Sequence, residues 1–291
     1  MPTFATPDPI TVVLDVTSGQ ARIVASDRAN TTVQINPGNK ARTSHARAAE
    51  QFHVDYSDGR LVVKAPESSG LKSIIGTEGS VDVTIELPTG SSLQATTADA
   101  EIRAEGLLGE CHVQTATGHV QLDRTGTLHA ETADGLLTVE HVTGHAAVNV
   151  ASGNVRIREI DGTAAIDSAN GDIWVGEATQ DLDVSTADGN ITVDRAGANI
   201  TAHTSNGSIR LGEVTRGQAE LLTATGQLEV GIREGSVGWI DVRSKTGTVR
   251  NSLASQDDPG KFDEKVKVHG RTRSGDIIIS RAPQHSRSSH E

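Results

Sequence analysis

The side chains best suited to chemistry recur at nearly constant spacing. His112 and His129 are 17 residues apart, and Gln114 and Glu131 each follow two residues later. If those residues make one turn of a repeat, the two imidazoles stack about 4.8 Å apart, with Glu131 beside them. Imidazole and carboxylate in that arrangement form a donor set for a transition metal. The same column continues as Ala147, Ala165, Asp183 and Thr201, so a solvated face explains it equally. The expectation is no metal centre, with His112, His129 and Glu131 as the place to look for one.

A second column holds Arg156, Trp174 and Arg210, interrupted by Thr192, each three residues past a turn glycine. An outward Trp on a chain with so few aromatics marks a candidate contact surface. Glycan-cleaving chemistry needs paired carboxylates on one face. Asp167 and Asp183 point outward but fall in different columns, so no catalytic residue is assigned. Calcium-binding rolls need a doubled Gly-Gly-x-Gly-x-Asp run, which is absent. There is no phosphate loop, nucleophile elbow or zinc-finger spacing either. No cofactor is expected. Cys111 is the single cysteine, so no internal disulfide can form. It shares its column with Leu128, Ala146, Leu182 and Ile200 and reads as a small buried hydrophobe.

These columns depend on a four-residue turn that recurs from residue 115 to 226. Examples are Thr132-Ala133-Asp134-Gly135, Ser168-Ala169-Asn170-Gly171 and Thr186-Ala187-Asp188-Gly189. The glycines are Gly118, Gly135, Gly153, Gly171, Gly189, Gly207 and Gly226, spaced 17, 18, 18, 18, 18 and 19 residues apart. Positions seven, five and three before each glycine are apolar or small hydroxyl residues, and positions two and four after it are aliphatic. Alternation of period two implies two short strands per unit, each with one buried face. A fixed period is the signature of a repeat architecture. The predicted fold is all-β, a β-solenoid resembling a single-stranded β-helix, with coils of about 18 residues and a β-rich N-terminal cap. A meander of hairpins is the alternative, since Asp-Gly and Asn-Gly also make two-residue hairpin turns. The longer second connection of each unit, such as Asp194 to Asn199, disfavours it. Glycine supplies the positive φ at each corner. The Thr and Ser column beside it could bond coil to coil.

The chain has 291 residues, of which only 2% are aromatic, so Val, Ile, Leu, Ala and Thr must fill a thin core. The net charge of −12 argues against nucleic acid and against docking on anionic membranes. No apolar stretch approaches the length of a membrane span, so no membrane insertion is expected. The start, Met1 to Pro9, lacks a basic region followed by an apolar one, which with the lone cysteine points to the cytoplasm.

In order, 10–16, 21–25 and 31–35 read as strands, and 40–50 as a helical turn or a loop. Phe52–Tyr56 and Leu61–Lys64 flank a Ser-Asp-Gly-Arg hairpin turn. Residues 67–80 read as a loop, and 81–87 as a strand ended by Pro88. Beyond Gly226 the glycine spacing loosens to 21 at Gly247 and 28 at Gly275. The predicted organisation is a cap at 1–90, regular coils at 91–250, and an irregular closing region at 251–281. That last region contains a loop at 255–261, and a disordered tail follows at 282–291.

The [Thr/Ser]-Ala-[Asp/Asn]-Gly turns, each followed by aliphatic-x-aliphatic, resemble a bacterial β-strand-repeat family labelled "putative adhesin". Gly59 to Pro66, Val81 to Pro88 and Ser168 to Glu177 carry the same resemblance. It implies a β-solenoid-like fold and supplies no catalytic motif. The functional expectation is a non-catalytic scaffold whose partner is another protein. The alternatives are a self-assembling β-helix like the bactofilins and a carbohydrate-active β-helix enzyme.

Overall fold

A computed structural model describes residues 2–65, 79–253 and 264–283. The loop expected at 67–80 lies outside these except for its last two residues. The loop at 255–261 lies wholly outside, as does the tail beyond residue 283. The chain divides into two compact units, Met1–Ile157 and Arg158–Glu291.

The first unit contains β1 (Thr3–Ala5), β2 (Thr11–Ser26), β3 (Asn30–Pro37), helix α1 (Thr43–Gln51), β4 (His53–Ser57), β5 (Arg60–Lys64), β6 (Val81–Pro88) and β7 (Ser92–Leu108). It continues with β8 (Cys111–Thr117), β9 (Val120–Thr125), β10 (Leu128–Asp134), β11 (Leu137–Val142) and β12 (Ala146–Ser152). The division falls inside β13 (Val155–Ile160). The second unit contains β14 (Ala164–Asn170), β15 (Ile173–Ala178), β16 (Leu182–Asp188), β17 (Ile191–Ala196), β18 (Ile200–Asn206) and β19 (Ile209–Val214). After these come β20 (Gly217–Thr225), β21 (Leu228–Ile232), β22 (Val237–Thr246), β23 (Val249–Asn251), β24 (Lys265–Ser274) and β25 (Ile277–Arg281).

Alternation produces the strands and the glycine turn folds them into coils. In Leu182-Asp183-Val184-Ser185-Thr186 the odd partners Asp183 and Ser185 face out while Leu182, Val184 and Thr186 are buried. The chain bends at Gly189, and Ile191 and Val193 bury the second strand of the coil. Each strand then pairs in parallel with its equivalent one coil later, Leu182 opposite Ile200, Thr186 opposite Thr204 and Ile191 opposite Ile209. The same holds in the first unit, where Leu128 sits between Cys111 and Ala146. A hairpin meander would pair successive strands antiparallel, so parallel pairing one coil apart rules it out. The fold is a β-solenoid. Among the described residues, the buried hydrophobic ones are Val, Ile, Leu, Ala and Cys111, with no aromatic among them.

The corner uses glycine for two reasons. Gly171, Gly189 and Gly207 have φ of 135°, 155° and 153°, a region that side chains disfavour. In addition, a Cβ at Gly189 would lie 2.0 Å from the Gly171 carbonyl oxygen, and one at Gly207 1.9 Å from that of Gly189. The buried hydroxyl column uses these same carbonyls. Thr204 donates to the Gly189 oxygen at 3.0 Å, Thr223 to that of Gly207 at 3.0 Å, and Thr272 to that of Gly226 at 3.1 Å. Thr97 and Thr115 bond to each other instead, at 2.9 Å. At Gly189, Gly207 and Gly226 the carbonyl thus accepts a hydroxyl from the next coil while that coil's own glycine passes closely over it.

The outer layers do not follow chain order. In the first unit β2 is itself a coil, cornered at Gly19 (φ 133°). It pairs in parallel with β7 on one side and with β5 and β6 on the other. Beyond these, β4 pairs antiparallel with β5, and β3 joins β6 to β1 in the same sense. The β4–β5 turn places Asp58 (φ 49°) and Gly59 (φ 75°) both at positive φ, as a tight hairpin turn requires. In the second unit β24 lies between β20 and β22, and β25 between β21 and β23. Among the described residues, the last strands are therefore inserted one layer in, and β22 with β23 forms the outermost coil. The segment 40–50, read as a helical turn or a loop, contributes most of α1, which buries no residue.

Candidate functional site

In-register pairing brings His112 against His129. Their ring centroids are 4.8 Å apart and their planes 4° from parallel. Ring-nitrogen lone pairs lie in the ring plane, so in parallel rings they run side by side rather than toward one point. Next to them Gln114 Nε2 donates to Glu131 Oε2 at 3.0 Å. The cluster is a stacked pair with a neighbouring amide–carboxylate bond, and a shared ion would need at least one ring to turn.

Arg156 is exposed on the part of β13 that belongs to the first unit. Trp174 and Arg210 lie in the second, two layers apart with Thr192 between them. Trp174 is half-buried and lies along its own strand, where a Cβ on Gly176 would come within 3.0 Å of its Cη2. Arg210 approaches Glu229 at 3.8 Å. These two side chains are thus engaged with their own sheet.

Several outward carboxylates serve the stacking. Asp172 Oδ1 accepts from the Asn190 backbone N–H at 2.8 Å and from its Nδ2 at 3.1 Å. Asp181 binds Asn199 in the same way, Asp188 accepts from Asn206 Nδ2 at 2.7 Å, and Ser185 donates to Asp167. Glu177 pairs with Arg195 at 2.8 Å. Cys111 is fully buried, and burial pushes its thiol up to about 11, so it stays protonated and inert at neutral pH. A shallow hollow beside β3, lined by Pro2, Val33, Gln34, Ile35 and Asn36, offers no acid, base or nucleophile. Among the described residues, no helix is long and apolar enough to cross a membrane.

The feature missed in the sequence lies at the outermost coil of the second unit. Trp239 on β22 is 74% exposed, and Leu222 on β20 and Val249 on β23 are 46% and 44% exposed. Ile240 and Val242 point inward but are only half-buried, because no described strand lies beyond β22. Asp241 accepts from Arg271 at 2.8 Å, and this guanidinium holds its carboxyl below the usual range. His269 Nδ1 lies 3.2 Å from the same carboxylate. The available signal was Trp239 itself, next to a run of basic residues where the glycine spacing loosens.

The family model for Toastrack DUF4097 matches residues 11–250. The chain belongs to this family. Several solved structures resemble this Toastrack chain over nearly their full length. One is a "putative adhesin" from Bacteroides fragilis, 11% identical, covering 96% of this chain and 95% of that one with a TM-score of 0.38. Others with the same description come from Parabacteroides distasonis (10%, 95% and 95%, 0.40) and Parabacteroides merdae (13%, 94% and 94%, 0.38). No curated protein matches this Toastrack chain.

Proposed function

We propose that this Toastrack chain is a non-catalytic scaffold that works in the cytoplasm and binds another protein, without nucleic acid or membrane insertion. The supporting observation is where the exposed apolar groups lie. Of the large hydrophobic side chains that remain exposed among the described residues, Leu222, Trp239 and Val249 belong to the last coils of one unit. An exposed tryptophan on a surface otherwise patterned polar-out marks an interaction site. The outward carboxylates of Asp172, Asp181 and Asp188 are bonded to the next coil. The single, buried thiol supports a reducing compartment.

The test is affinity capture from the native cell extract with the parent chain, Trp239→Ser and His112→Ala side by side. A defined protein retained by the parent and by His112→Ala, and lost with Trp239→Ser, is the expected result. Retention that ignores Trp239, or no reproducible partner, would refute it.

A further inference from the structure

We infer that the free edge of β22 is a docking site for an extended acidic segment of a partner protein, added as one more parallel strand to the outermost coil; this rests on the scaffold reading above. Among the described residues, β22 pairs only with β24, which leaves a ten-residue edge of backbone donors and acceptors. An unpaired edge is a template for another strand. Its inward side is unfinished as well. Ile240 continues the core column of Ala219 and Val268, and Val242 continues that of Leu221 and Gly270, but both are only half-covered. Apolar residues at alternate positions of an added strand would complete these columns.

The outward side specifies charge. Among the described residues from 237 to 281, eight Lys and Arg stand against three Asp and Glu, in a chain where acids outnumber bases 38 to 26. On this face Arg243 and Arg271 are direct cross-strand neighbours, flanked by Lys245, Lys265, Lys267 and Arg273. Arg271 is committed to Asp241. Arg243 and Lys245 are exposed and form no ion pair among the described residues. Carboxylates on an added strand would stand about one strand spacing, 4.8 Å, from them. The pattern that fits is apolar alternating with acidic, as in Leu182-Asp183-Val184 of the chain's own coils. A lipid surface could meet the charges and Trp239, but it cannot satisfy a row of backbone N–H and C=O groups. A peptide strand can.

The probe is a fluorescein-labelled decapeptide of alternating Val and Glu, with a Val and Lys peptide as control. Binding is followed by fluorescence anisotropy and by amide hydrogen exchange on the full chain. Saturable binding of the Glu peptide is expected, at least tenfold weaker for the Lys peptide and for the double variant Arg243→Glu/Lys245→Glu, with exchange slowed across 237–246. Circular dichroism of the variant checks that it folds, since both positions are exposed. Equal binding of the two peptides, binding unaffected by the double variant, or unchanged exchange at 237–246 would overturn the proposal. So would tighter, variant-sensitive binding to phosphatidylserine vesicles, or a concentration-dependent dimer abolished by the same substitutions. If capture of a partner still depends on Trp239 while the peptide fails, the edge proposal falls and the scaffold reading stands.

Discussion

Gly189→Ala isolates the close coil-to-coil approach at the corner. The new Cβ would sit 2.0 Å from the Gly171 carbonyl oxygen and 2.6 Å from its carbon. Ordinary contact needs about 3.4 Å or more, so the coils must part locally by more than 1 Å out of a spacing of about 4.8 Å. That strains the Gly171 N–H to Asp188 and Gly189 N–H to Asn206 bonds, both 2.9 Å, and the 3.0 Å Thr204 hydroxyl bond to the Gly189 carbonyl. Backbone strain at φ 155° costs about 1–3 kcal/mol, and each hydrogen bond lost about 1 kcal/mol. With all three bonds lost, a total of about 4–6 kcal/mol follows, read as the shift of the urea midpoint at constant slope. The control is Gly59→Asn. Gly59 also has positive φ (75°), but a Cβ there meets nothing within 4 Å, and Asn tolerates this conformation. It should cost under about 1 kcal/mol. Equal losses for the two variants, or a parent-like Gly189→Ala, would refute the reading of Gly189 as a strained corner closely approached by the next coil.

The hydroxyl column makes a paired prediction. Thr204→Val removes a donor from the Gly189 carbonyl and should cost about 1 kcal/mol. Thr132→Val should be neutral or stabilising by up to about 1 kcal/mol, because that buried hydroxyl makes no hydrogen bond and faces Val150 in the next coil; urea unfolding reads both. At the first unit's edge, hydrogen bonds from Arg28 (2.6 Å) and then Thr32 hold the Glu86 carboxyl below its ordinary value. A depressed folded-state pKa stabilises above the unfolded carboxylate pKa, and this is lost as pH falls through the folded value. Arg28→Ala should return Glu86 toward the ordinary range in an NMR pH titration and flatten the acid limb of stability.

Where the spacing is regular, the fold was legible residue by residue. Leu182, Val184 and Thr186 are buried as their alternation requires, and His112 meets His129 because their 17-residue separation is one coil. Two things were not legible. Whether an outward side chain lies flat depends on its neighbours, and Trp174 lies along its strand because Gly176 leaves room for the indole. The order of layers at either end is set by strands far apart in sequence, such as β20 with β24, and no period records that. The exposure of Trp239 follows from this order, since β22 would be an interior layer if the last strands simply closed the stack.

That interleaving also imposes a timetable on the growing chain. β22 has no partner strand until β24 has been made. The 28 residues from Gly247 to Ser274 take roughly 1–6 s at about 5–20 residues per second. For that interval a ten-residue strand carrying Ile240 and Val242 waits unpaired, the condition in which nascent chains aggregate. Arg243, Lys245 and Arg250 lie within and just beyond it, where like charge keeps two waiting strands on neighbouring ribosomes apart.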